Sequence, residues 1–107
     1  NERNEGQTVV HFIVPPLKAD LMRIWKSTFL QPNNTKKVSK MIMNHNISTF
    51  PKWTKIDTNK MNNFTLIFES LPQECTSFDL IEDALEDGGF YYKNIKRNFK
   101  DVYQIIL

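Results

Sequence analysis

Residues 8–14 have the sequence TVVHFIV, a run of β-branched and apolar side chains that two prolines bring to an end. Its length and composition predict a buried strand. Residues 64–68, with the sequence FTLIF, and residues 102–107, with the sequence VYQIIL, are two further runs of this kind. These three strands are expected at the centre of one sheet. The aromatic residues 90–92 predict a partner for the last strand in a closing hairpin that turns at residues 96–98.

Three segments between the strands carry apolar side chains three and four residues apart, the spacing that one face of a helix requires. Pro32 would end the first helix, Thr35 would cap the second and Thr76 would cap the third. The apolar faces comprise Leu21, Ile24, Trp25, Thr28 and Phe29 in residues 18–31; Val38, Met41, Ile42 and His45 in residues 35–45; and Leu80, Ile81, Ala84 and Leu85 in residues 76–87. Three helices are therefore predicted.

These elements predict an α+β domain, with a small mixed sheet of about four to five strands and about three helices packed on one face. An extended winged helix built on residues 17–68 is the alternative. The core is expected to contain Phe12, Trp25, Phe29, Phe64, Phe68 and Leu85. Residues 1–7 are polar and aperiodic and predict a disordered lead-in. Residues 8–107 would then form a single domain, cut from a longer protein.

Two segments loosely resemble motifs of the RNA recognition motif: residues 11–17 its first-strand motif and residues 63–68 its third-strand motif. The order of elements, which can be read as β-α-β-α-β, invites the same comparison. However, the basic residue and glycine that open the third-strand motif of that family are missing, and the stretch between the two motifs is too long. We therefore assign the chain to no family on this resemblance.

The sequence offers little of what a catalytic or metal site needs. His11, His45 and Cys75 are isolated in the chain, whereas a zinc site needs about four clustered nitrogen or sulfur ligands. No glycine-rich loop precedes a predicted helix, so no segment would cradle a phosphate. We therefore predict that the domain is not an enzyme and has no cofactor, metal or small-molecule substrate.

Charge is segregated along the chain, although the net charge is only +2. Residues 1–67 carry ten Lys and Arg against four Asp and Glu, whereas residues 68–92 carry seven acidic residues and no basic one. Lysines beside an exposed aromatic side chain can hold phosphates while the ring stacks on a base. The candidate nucleic-acid-binding residues are Lys36, Lys37, Lys40, Lys52, Trp53 and Lys55. The competing interpretation places Trp53 in the core and the lysines in solvent.

The acidic part predicts a second surface. Residues three and four apart share one face of a helix, so its carboxylates would form a broad face that attracts a basic partner. The candidate partner-binding residues are Asp79, Glu82, Asp83 and Glu86. The competing interpretation is a solvated face that only aids solubility.

These patterns favour a non-catalytic domain that docks a protein partner within a larger intracellular, nuclear, multi-subunit assembly. Nucleic-acid binding by residues 36–60 is the alternative function, and an enzyme fragment whose active groups lie elsewhere is the third. The single Cys75 fits a reducing compartment, and three Asn-x-Ser/Thr sequons are the competing signal. No apolar run reaches the ~18 residues of a membrane-spanning helix, so no membrane is expected among the partners.

Overall fold

The domain is built from strands. The computed structural model describes residues 6–82 and 89–107, and no helix occurs among them. The strands of this part are β1 (Thr8–Val14), β2 (Leu21–Met22), β3 (Phe29–Pro32), β4 (Ser39–His45), β5 (Thr54–Lys55), β6 (Asn62–Phe68), β7 (Ser77–Ile81), β8 (Tyr91–Lys96) and β9 (Val102–Ile106). The domain is therefore all-β, and both the predicted α+β class and its winged-helix alternative are wrong. Nothing in the described ranges is a helix long and apolar enough to cross a membrane.

Seven of the strands form one curled mixed sheet in the order β8-β7-β3-β4-β6-β1-β9. Neighbouring strands are antiparallel, except that β1 and β9 run parallel with Val9 opposite Val102. Strands β2 and β5 pair separately as a small antiparallel ribbon. The predicted closing hairpin is also wrong, because β8 pairs with β7 while β9 pairs with β1.

The core lies on the inner face of the curled sheet. Side chains alternate along β1 and β6, so that every second residue is buried. The rings of Phe12 and Phe64 stack across these two strands with centroids 4.7 Å apart. Phe78 of β7 meets Tyr103 of β9 edge-on at 4.9 Å, although β3, β4, β6 and β1 separate their strands in the sheet. This contact shows that the sheet curls until its two ends share one core.

Half of the predicted core is confirmed. Phe12, Phe64 and Phe68 are almost completely buried. Trp25 and Phe29 are only half-buried, because neither lies on a helix face that could turn towards the core. Leu85 lies outside the described residues.

Two of the predicted helices fail because turns and a bulge imitate helical spacing. Residues 18–31 contain β2, a turn and β3, and the turn places apolar residues three and four positions apart without a helix. In β4, the register with β6 shifts between Met41 and Met43, which makes Ile42 an extra residue in the strand. A bulge sets two adjacent apolar residues where alternation would place one, and this spacing resembles that of a helix.

The third predicted helix begins where β7 lies. Phe78 and Leu80 point into the core, while Ser77, Asp79 and Ile81 lie on the outer face. Alternation of this kind is typical of a half-buried strand, but the dense acidic residues obscured it. The remainder of the predicted helix, residues 83–87, lies outside the described residues, as do residues 1–5 of the predicted lead-in.

A buried ion pair holds the connection between β8 and β9. Arg97 donates from Nε to Asp101 Oδ1 at 3.0 Å and from Nη2 to Oδ2 at 2.9 Å, and the two side chains are only 2% and 5% exposed. The Tyr103 hydroxyl donates to Asp101 Oδ1 at 2.9 Å. Arg97 Nη1 also donates to the carbonyls of Pro72 and Cys75. This network ties the start of β9 to the loop that precedes β7.

Candidate binding surface

Four side chains from two separate loops form one continuous stack at the surface. The rings of Trp25 and Phe50 lie nearly parallel, with centroids 4.2 Å apart. The guanidinium of Arg23 lies between the next two rings, with its Cζ 4.6 Å from the centroid of Phe50 and 3.8 Å from that of Trp53. The order is therefore Trp25, Phe50, Arg23, Trp53, and these four side chains are termed the ladder. Cation–π attraction and ring stacking both stabilise such an arrangement.

The ladder exists because the segment after β2 lies beside the segment after β4. Ile24 is buried and forms a parallel bridge with Thr49. Its amide donates to the carbonyl of Ser48 at 2.9 Å, and its carbonyl accepts from the amide of Phe50 at 2.9 Å. Since successive side chains of an extended chain point to opposite sides, Arg23 and Trp25 both leave on the side away from buried Ile24.

Hydrogen bonds in the second loop fix the outer end of the ladder. Arg23 Nη1 donates to the carbonyl of Pro51 at 3.1 Å, so the backbone of the second loop holds the guanidinium as well as the rings do. The amide of Lys52 donates to the carbonyl of Thr49 at 3.0 Å and closes a turn. Ser48 Oγ donates to the carbonyl of Lys52 at 3.0 Å, which braces that turn from inside. The ladder is thus organised before anything binds to it.

The outer end of the ladder faces solvent and has basic neighbours. Trp53 is 54% exposed and Phe50 is 41% exposed, which are large fractions for aromatic side chains. Lys52 precedes Trp53 in the chain and Lys55 lies two residues after it, while Lys26 follows Trp25; all three lysines are exposed. The surface therefore combines apolar ring area, a guanidinium and ammonium groups.

Glu82 lies behind the inner end of the ladder. Its Oε2 accepts a hydrogen bond from the amide of Trp25 at 3.1 Å. Burial raises the pKa of the Glu82 carboxyl, and backbone hydrogen bonds from Trp25 and Phe90 oppose that rise. Glu82 thus anchors the backbone of the first ladder loop, and it is not a freely solvated charge.

The structure divides the predicted nucleic-acid-binding residues into two groups. Lys36 and Lys37 lie in the loop before β4, and Lys40 lies on β4 itself. The other three, Lys52, Trp53 and Lys55, follow β4 and lie at the ladder and on β5. A strand of seven residues spans ~20 Å, so the two groups flank opposite ends of β4. Trp53 is exposed, and its assignment to the core is excluded.

The predicted acidic face does not form over the part that the structure describes. Asp79 lies on β7, where its Oδ1 accepts from the amide of Asn94 at 2.9 Å and its Oδ2 from the Tyr91 hydroxyl at 3.4 Å. Glu82, three residues later, follows the strand and bonds to Trp25 instead. An extended chain sends residues three apart to opposite sides, so these two carboxylates share no face. Asp83 and Glu86 lie outside the described residues.

Sequence reasoning missed three of the four ladder residues, namely Arg23, Trp25 and Phe50. The helical spacing of Trp25 predicts a core position for it, and neither Arg23 nor Phe50 is among the candidate site residues of the sequence. The signal that could have found them is the dense aromatic and proline content of residues 50–53. That signal does not reveal which other loop lies beside it.

An open cleft of about 840 Å³ lies near the loop before β4. Lys37, Glu69 and Arg97 are among its lining residues. The carboxylate of Glu69 accepts from the amide of Lys40 at 3.0 Å, and Arg97 is bound to Asp101, so both charges are already engaged. Within residues 6–82 and 89–107, no three His, Cys, Asp or Glu side chains cluster closely enough to hold a metal ion. The ladder is therefore the candidate with the more distinctive chemistry.

Comparison with known proteins gives no relative from which a role could be taken. No family model matches the chain, and comparisons with curated proteins and with solved structures find no match either.

Proposed function

We propose that this chain is a non-catalytic docking domain that holds a protein partner in a larger intracellular assembly through the ladder. The observation that carries the proposal is the exposed, ordered stack of Trp25, Phe50, Arg23 and Trp53. Trp, Tyr and Arg are the residue types that dominate binding energy at protein interfaces. The intracellular, nuclear location stays a prediction, and its support is the single Cys75, which fits a reducing compartment.

Preorganisation supports a binding role for the ladder. An interface loses free energy when it must immobilise flexible side chains, about 0.5–1.5 kcal/mol for each. Stacking and the bond from Arg23 to the carbonyl of Pro51 already restrict these side chains in the free domain. A partner would therefore gain contact with the rings of Phe50 and Trp53 at little further entropic cost.

The charge around the ladder indicates what kind of partner fits it. Lys26, Lys52 and Lys55 contribute positive charge there, and the carboxylate of Glu82, which accepts from the amide of Trp25, lies behind that residue. An acidic partner segment with an apolar side chain for Trp53 would complement this surface. This revises the expected basic partner, which depended on a helical acidic face.

The proposal is tested by partner capture with a matched pair of variants. Trp53→Ala removes the outer ring of the ladder, and Tyr91→Ala removes an aromatic side chain of β8 that is equally exposed, 55% against 54%. A partner that binds directly through the ladder is retained by the wild type and by Tyr91→Ala, is lost with Trp53→Ala, and survives nuclease treatment. Retention by Trp53→Ala at wild-type affinity would place the docking site elsewhere.

The exposed ring of Trp53 also supports the second candidate, binding of single-stranded nucleic acid. A base could stack on that ring while Lys52 and Lys55 contact phosphates. Titration of a short oligonucleotide at ~50 mM salt, followed by tryptophan fluorescence, tests this directly because phosphate contacts are strongest at low salt. Quenching that disappears in Trp53→Ala and weakens steeply with added salt supports it, and no binding at that salt excludes it.

A further inference from the structure

The two end strands of the curled sheet differ in how their free edges are protected. At one end, β8 carries Lys93 and Lys96, has Asn94 at a φ of 57°, and is bulged against β7. Lysines and bulges are the devices by which proteins prevent a sheet edge from pairing with another chain. At the other end, β9 has the sequence VYQII, with no charge, no proline and no register shift against β1. One edge is therefore protected and the other is not.

The backbone of β9 shows which groups its edge offers. The carbonyl of Asp101 accepts from the amide of Val9, and the amide of Leu107 donates to the carbonyl of Ile13, each at 2.9 Å. Because successive residues of a strand direct their amide groups to opposite sides, alternate residues of β9 bond to β1. The N–H and C=O groups of Val102, Gln104 and Ile106 then point away from β1. In the described part of the chain, only β1 pairs with β9.

One of these edge groups already has a partner. Asn98 Nδ2 donates to the carbonyl of Val102 at 2.8 Å. A carbonyl oxygen has two lone pairs, so it can still accept a second bond. The amide groups of Gln104 and Ile106 remain available to another strand.

The side chains of the β9 edge are complementary to themselves. If a second β9 pairs antiparallel about a two-fold axis at Gln104, Val102 faces Ile106 of the second copy and the two Gln104 side chains face each other. Val102 is 43% exposed and Ile106 is 65% exposed, so each apolar side chain would cover the other. No charge meets a like charge in this register, and an isologous two-fold contact is the commonest form of self-association.

We propose that β9 is a self-association edge, at which two copies of this chain join their sheets through antiparallel pairing centred on Gln104. The contact uses neither Trp53 nor any other ladder residue, so it stands independently of the proposed docking role.

The test places like or opposite charges on the axis. Gln104→Lys sets two ammonium groups opposite each other, and Gln104→Glu sets two carboxylates there. Because the Gln104 side chain is exposed, neither substitution alters the core. Gln73→Lys, at an exposed position in the loop that precedes β7, is the control with the same change in net charge. Sedimentation equilibrium is measured up to about 0.5 mM chain, where a Kd of about 0.1 mM leaves most chains paired.

The expected result is a dimer for the wild type and for Gln73→Lys, and association weaker by about fivefold or more for each Gln104 variant alone. An equimolar mixture of Gln104→Lys and Gln104→Glu should recover the dimer, because opposite charges then face each other across the axis. A wild type that stays monomeric at about 0.5 mM chain, where a Kd of about 0.1 mM would leave most chains paired, overturns the proposal. The β9 edge would then be open to a strand of another protein. A dimer that is unchanged in Gln104→Lys overturns it equally.

Discussion

The buried pair of Arg97 and Asp101 should be the most sensitive polar contact of this fold. Replacing Arg97 with Met fills much of the same volume but removes both bonds to the Asp101 carboxylate, which is only 5% exposed. Among the residues that the structure describes, the one other side chain that donates to this carboxylate is the Tyr103 hydroxyl. Removing one member of a buried ion pair costs about 3–5 kcal/mol, because the remaining charge stays desolvated. The Pro72 and Cys75 carbonyls lose a donor as well, so we expect the upper half of that range.

A double-mutant cycle separates the pair from its surroundings. Asp101→Asn removes the charge but keeps a residue type that tolerates the φ of 56° at this position. The double variant leaves no buried charge without its partner. Arg97→Met combined with Asp101→Asn should therefore lower the free energy of unfolding by about 2 kcal/mol less than the sum of the two single changes.

Urea unfolding followed by tryptophan fluorescence gives the four free energies of unfolding. Lys96→Met, at an exposed neighbouring position, is the control and should change the free energy by less than about 0.5 kcal/mol. A cost below about 1 kcal/mol for Arg97→Met, or strict additivity in the cycle, would refute the view that this ion pair is desolvated and holds the start of β9.

Three further predictions concern the core, the inner end of the ladder and its centre. Phe12→Ala should lower the free energy of unfolding by about 3–5 kcal/mol, because the fully buried ring stacks on Phe64, and a cost below about 2 kcal/mol would contradict its central position. Glu82→Gln should match the wild type in stability below the ordinary pKa of glutamate. As pH rises through the raised pKa of Glu82, the variant should become more stable than the wild type, since ionisation of the desolvated carboxyl destabilises only the wild-type fold. Parallel pH profiles of the two free energies of unfolding, measured by urea titration, would disprove this. Arg23→Met should lower the free energy of unfolding by about 1–2 kcal/mol and shift the tryptophan emission, because two ring contacts of the guanidinium are lost. The control Lys18→Met should change neither the free energy of unfolding nor the emission.

The strands that the sequence predicted correctly are those whose signal is local. Residues 8–14 form β1 with the predicted bounds, and residues 64–68 lie within β6, because both are continuous apolar runs of β-branched and aromatic residues. The last strand is also confirmed, with Val102–Ile106 as β9. Its expected hairpin partner failed because strand pairing depends on the distant residues 8–14, not on the nearest strand in the chain.

The rest could not be predicted because distant contacts decide it. The bulge at Ile42 gave β4 the spacing of a helix, and only pairing with β6 makes it a strand. The acidic residues after Thr76 suggested a capped helix, although Phe78 and Leu80 already alternated with polar neighbours. The exposed Trp53 and its lysines were recognised as a candidate site, but the stack with Arg23 requires the bridge between Ile24 and Thr49, which no local pattern encodes.

The most direct measurement of the central claim uses the two tryptophans of the chain as reporters. A ¹⁵N-labelled domain gives one indole N–H signal for Trp25 and one for Trp53, which Trp53→Ala assigns, and the captured partner is then added in steps. Docking on the ladder predicts that the Trp53 indole signal and the amides of residues 50–53, apart from Pro51, shift or broaden first. Shifts confined to β9 or to the cleft beside Glu69, with the Trp53 signal unchanged at saturation, would contradict it.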